Sequence, residues 1–126
     1  MSIFTYMSCD KSKRDFNKVY EILDKNEQHP DTYRSAYDYT AFQILCEIGR
    51  AEYNGGNDSK KKYMKLIEKF LMKGANPNIV TDNSQQWNTP IYHATDLNMV
   101  DVVKMMFDYG GVATNKMMFM VVENGY

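Results

Sequence analysis

Two histidines, two cysteines and a run of lysines are the residues here with the widest chemical reach. His93 lies three residues before Asp96 at the start of an apolar-periodic stretch, the place of a general base. A base of that kind needs a nucleophile, and no Ser or Cys motif such as GxSxG accompanies it, so structural bracing is the simpler role. His29 stands before Pro30 and Asp31 in a polar link and reads as solvated. His29, His93, Cys9 and Cys46 are scattered, with neither HExxH nor paired short spacings, so no zinc site is expected. Without a CxxC the cysteines fit a reducing compartment and read as packing residues. The carboxylates are too dispersed for a paired-carboxylate site. Asn54-Gly55-Gly56-Asn57 is glycine-rich but lacks the Lys-Thr or Lys-Ser that holds phosphate and metal. Lys60, Lys61, Lys62 and Lys65 would each add a salt-dependent contact to a phosphate backbone, although with Lys69 they also make an ordinary solvated helix face. Catalytic, metal and cofactor-binding residues are therefore assigned to none, and the expectation is a protein that is not an enzyme.

The elements that must position these side chains read as helices. Phe16, Val19, Tyr20 and Leu23 fall at i, i+3, i+4 and i+7, the stripe of a helix with one buried face. Met64, Ile67 and Leu71, and later Val100, Val103, Met106 and Phe107, repeat it. Each stripe closes on a residue suited to the left-handed helix-terminating conformation: Asn26, Gly74 and Gly110. Overlaid, VYEILDKN, IEKFLMKG and VKMMFDYG share apolar first, fourth and fifth positions and such a terminator at the eighth, which is an internal repeat. A shorter helix precedes two of these stripes. Thr89 caps one and Pro90 takes its first position, and Thr40 starts its counterpart TAFQILC. Strand alternation is convincing nowhere.

The order of these pieces resembles the ankyrin-repeat family, through TPIYHA at 89–94, VDVVKMMFDYGG at 100–111 and KGANPN at 73–78. Resemblance implies an all-α fold: a short ankyrin-like solenoid of stacked helix-turn-helix pairs, roughly six helices, with finger loops and an insertion. The chain then forms one domain, 1–126, with a divergent first unit 2–31, a second unit 35–80, a third unit 84–112 and a terminal half-unit 113–126. The terminators lie 48 and then 36 residues apart, so a polar inserted loop is expected at 50–61, around Gly55-Gly56. Tyr92 stands where the family places its bracing histidine.

With 44% hydrophobic and 25% charged residues and a formal charge of -1, the chain reads as one compact domain whose global field selects no partner. No apolar run approaches membrane-spanning length and the N-terminus does not read as a secretory signal, so the expected setting is cytoplasmic. Twelve lysines against three arginines, with abundant Asn, Tyr and Met, fit an AT-rich genome such as that of a virus, phage or intracellular bacterium.

Family geometry implies that a protein partner meets the finger tips and the exposed side of each first helix. Carried onto this sequence, that strip comprises Tyr37, Tyr39, Glu47 and Ile48, then Gln85, Gln86, Trp87, Asn88, Asp96 and Leu97. Trp87 has two readings, an interface anchor or a side chain folded back to seal the stack. The apolar run Met117 to Val122 packs partly on the third unit and leaves a surface for a partner or a second copy of the chain. The expected function is an inhibitor or adaptor that masks or bridges another protein, with blockade of a host factor as the viral or phage version. The alternative is a nucleic-acid-associated regulator using Lys60, Lys61, Lys62 and Lys65.

Overall fold

The structure, a computed structural model, describes residues 3–7, 14–31, 40–79 and 89–112. It is all-helical, with no strand among the described residues. A short 3-10 helix, Ile3–Tyr6, leads into six α-helices: α1 (Phe16–Asp24), α2 (Ala41–Ile48), α3 (Arg50–Tyr53), α4 (Asn57–Met72), α5 (Pro90–Asp96) and α6 (Val100–Asp108).

Local chemistry sets the starts. Asp15 accepts from the Lys18 amide at 3.2 Å, satisfying one of the unpaired donors of α1. Thr40 Oγ1 accepts from Gln43 N at 3.3 Å while Gln43 Oε1 accepts from Thr40 N at 2.8 Å, a reciprocal capping box for α2. Thr89 Oγ1 accepts from Tyr92 N at 3.2 Å, and Pro90 fills the first position of α5.

The ends are equally regular. Asn26, Gly74 and Gly110 take φ of 56, 101 and 93°, as their spacing suggests, and Asn98, which the sequence reading passed over, takes 59°. At each, the left-handed residue donates to the carbonyl three back and its successor to the carbonyl five back. The pairs are Asn26 and Glu27, Gly74 and Ala75, Asn98 and Met99, and Gly110 and Gly111, all between 2.8 and 3.2 Å. This is the Schellman termination, which satisfies carbonyls that a helix end leaves bare.

The helices pack in two rows. The short helices α2 and α5 lie against each other, while α4 packs on α1 to one side and on α6 to the other. Along α4, Tyr63, Leu66, Ile67, Phe70 and Leu71 form the buried stripe. α2 buries every residue from Ala41 to Cys46, and Phe42 stacks on Phe70 at 5.4 Å between centroids, joining the rows.

Successive pairs are joined by a repeated set of hydrogen bonds. Phe42 N donates to Pro30 O at 3.2 Å, and Ile91 N donates to Pro77 O at 3.0 Å. Asp31 Oδ2 accepts from Asn76 N at 2.9 Å, and Asn78 Oδ1 accepts from Val112 N at 2.8 Å. Asp31 N donates to His29 Nδ1 and Asn78 N to Asn76 Oδ1. His29-Pro30-Asp31 and Asn76-Pro77-Asn78 are thus one device used twice, and His29, exposed as its polar setting suggests, is also an acceptor within a junction.

One expectation is corrected. The polar insertion placed over 50–61 is not a loop without a buried face: residues 50–53 form α3, and α4 begins at Asn57. Glu52 is 7% exposed and pairs with Arg14, whose guanidinium also donates to Ile48 O at 3.4 Å. Tyr63 reaches across to donate to Leu45 O at 3.0 Å, and its ring lies so close to Gly49 that a Cβ there would fall inside it. Sequence polarity hid this packing because its anchor is an ion pair, which reads as surface in a one-dimensional pattern.

Candidate partner-binding surface

Glu47 and Asp96 each lie seven positions after their capping threonine, and Ile48 and Leu97 eight, on helices α2 and α5 that pack against each other. Glu47 and Asp96 are exposed; Ile48 and Leu97 are half-buried against the core. The described part of the expected strip is therefore an acidic edge over an aliphatic base. Tyr37, Tyr39, Gln85, Gln86, Trp87 and Asn88 lie outside the described residues, as does the apolar run at 117–122.

His93 lies within the electrostatic reach of both carboxylates. Burial lowers its pKa, and Glu47 and Asp96 partly oppose that shift. The ring is therefore held toward the neutral form, with Nε2 buried and making no hydrogen bond among the described residues. Its bracing, at that nitrogen, is by packing rather than by hydrogen bonding. Cys46 is fully buried, and burial drives its thiol far above the range in which thiolates form at neutral pH. Burial likewise raises the Tyr63 phenol, which stays a neutral donor to Leu45 O. Among the described residues no group of three or more His, Cys, Asp or Glu side chains could hold a metal ion, and no helix is long and apolar enough to cross a membrane.

The lysines divide into two sets. Lys60 Nζ lies 2.6 Å from Asp101 Oδ2 and 4.7 Å from the centroid of Tyr53, tying α4 to α6. That hydrogen bond raises the Lys60 pKa and lowers that of Asp101. Lys61, Lys62 and Lys65 are exposed, with Lys65 Nζ over the Tyr20 ring at 5.4 Å. Lys60 is thus committed within the fold, which breaks the basic cluster the sequence displays.

Sequence reasoning missed a groove between α1 and α4. It encloses about 360 Å³ and is lined by Phe16, Tyr20 and Leu66 with Asn17, Glu21, Lys62 and Lys65. Phe16 and Tyr20 belong to the stripe read as the buried face of α1, yet both are half-buried; Val19, Ile22 and Leu23 carry the burial. The signal was the i, i+4 aromatic pair at the margin of that stripe.

No protein-family model, no curated protein and no solved structure matches the chain.

Proposed function

We propose that this chain is a non-enzymatic protein-binding module, a divergent ankyrin-like array that acts by occupying a surface of its target as an inhibitor or adaptor in the cytoplasm. The observation carrying this reading is the recurrence of one junction: Asp31 on Asn76 and Asn78 on Val112, with Pro30 on Phe42 and Pro77 on Ile91. Equal junctions keep equivalent residues in register, and register is what makes a strip out of Glu47, Ile48, Asp96 and Leu97. Tyr37, Tyr39, Gln85, Gln86, Trp87 and Asn88 extend that strip by resemblance. Since Glu47 and Asp96 are exposed and Ile48 and Leu97 are only partly covered, the strip suits a partner bringing cations and an apolar ridge.

The test begins with capture of partners on the immobilised chain and their identification by mass spectrometry. Glu47→Lys with Asp96→Lys, and separately Trp87→Ala, should weaken the captured partner by about tenfold or more while the melting temperature holds. Unchanged affinity in both would remove the strip. Binding that collapses between low salt and about 0.2 M would instead favour a nucleic-acid partner led by phosphate contacts.

A further inference from the structure

The groove between α1 and α4 lies on the row of longer helices, away from the strip on α2 and α5. Phe16 and Tyr20 stand one turn apart on α1, and Lys62 and Lys65 stand three residues apart on α4, so an apolar wall faces a basic rim. The charges around it are unequally matched. Glu21, the carboxylate of the groove, lies 3.5 Å from Lys18 Nζ, and Lys69 lies 2.7 Å from Asp24. Lys62 has no carboxylate within ion-pair distance among the described residues, and Lys65 has only the Tyr20 ring. Past Lys62 the groove continues into a second hollow of about 320 Å³, where Glu52 is already paired with Arg14 and Asp15 accepts from the Lys18 amide at the start of α1.

The aromatic faces are also taken. Lys65 and Lys69 stand over the Tyr20 ring at 5.4 and 4.9 Å, while Arg14 stands over Phe16 at 5.7 Å and Tyr63 tilts against it at 6.2 Å. A nucleobase stacking here would compete with those cations for the ring faces. An aliphatic side chain needs only their edges and Leu66.

We propose that this groove docks an acidic amphipathic helix of a partner protein. One large apolar side chain of that helix enters between Phe16, Tyr20 and Leu66, and two carboxylates one turn apart on it meet Lys62 and Lys65. Helix-in-groove recognition supplies both halves of this match, because a helix presents i and i+4 residues on one face. The charge sign selects against basic segments, which would meet Lys62 and Lys65 head on.

A synthetic helix of about fifteen residues, the shortest length at which a peptide helix holds in water, serves as the probe, with two Glu one turn apart and one Leu beside them on the same face. Titrated into the isotope-labelled full chain, it should saturate with amide shifts confined to α1 and α4, at a Kd of about 0.1 mM. Lys62→Glu with Lys65→Glu should weaken it by about tenfold, and the peptide carrying Lys in place of Glu should recover binding to that variant. Glu47→Lys with Asp96→Lys should leave the peptide bound as before, so a failure here is separable from a failure of the strip. Should the double lysine variant not fold, replacing the peptide's Leu by Ser must itself abolish saturation. No saturation by about 1 mM, shifts elsewhere on the chain, indifference to charge reversal, or displacement by a single-stranded oligonucleotide would each overturn the proposal.

Discussion

Asp31 and Asn78 occupy the same place in successive junctions, one residue after the proline whose carbonyl receives the next short helix, yet they finish the junction differently. Asn78 uses both of its polar atoms: Oδ1 accepts from Val112 N, and Nδ2 donates to Gly110 O at 2.9 Å. Asp31 accepts from Asn76 N through Oδ2, but its Oδ1 is buried with no partner among the described residues. A carboxylate has no proton to give, so the atom standing where Asn78 carries its amide nitrogen can only accept. Burial accordingly raises the Asp31 pKa, against the opposing effects of the Asn76 amide and His29. One backbone plan thus tolerates two chemistries, and the acidic version is the weaker clasp.

The largest effect that could break this comparison is at the helix end that both junctions share. Gly74→Val places a β-branched residue at φ 101°, two residues before the amide that Asp31 holds, and should cost about 1–3 kcal/mol in a denaturant melt. Asn78→Ala should follow at about 1–2 kcal/mol, because it removes two hydrogen bonds at a partly wetted site. Asp31→Ala should cost under about 0.5 kcal/mol, since the bond lost is offset by releasing an unpaired oxygen; equal costs at the two positions would dissolve the distinction. Asp31→Asn, which copies the second junction into the first, should stabilise by about 0.5 kcal/mol at neutral pH.

The same swap has a pH signature. A carboxyl whose folded pKa is raised binds its proton more tightly folded than unfolded, so the stability it contributes is complete below its ordinary 3.8 and is lost as pH rises through the folded value. The advantage of Asp31→Asn over the parent chain should therefore grow with pH through that window in paired thermal melts. An advantage that shrank instead would mean that Asp31 is stabilised as its anion.

Much of this architecture was legible in the residues. Thr40, Thr89 and Pro90 carry their capping chemistry in their own side chains, and Gly74 and Gly110 carry their freedom in the absence of one. Asn98 escaped because it closes α5, only seven residues long, whose stripe is too short to show a terminator. HPD and NPN escaped as a pair because His29 and Asn76 share acceptor capacity and little else. The groove escaped for a different reason: Phe16 and Tyr20 satisfy the helical period, and periodicity reports which face is apolar, not whether a neighbour covers all of it. Glu47 and Asp96 entered the candidate strip through resemblance alone, and the structure adds that both are exposed. Their common influence on His93 needed three dimensions.

The pairing of Arg14 with Glu52 spans 38 positions, and both side chains are at least nine-tenths buried. On α6, beside the buried Val102, Val103 and Met106, the polar partners are only partly covered, Lys60 with Asp101 and Asn78 with Gly110 and Val112. Among the described residues the buried pair lies beside α1 and the exposed pair beside α6, so the α6 amides are expected to exchange with solvent before those of α1.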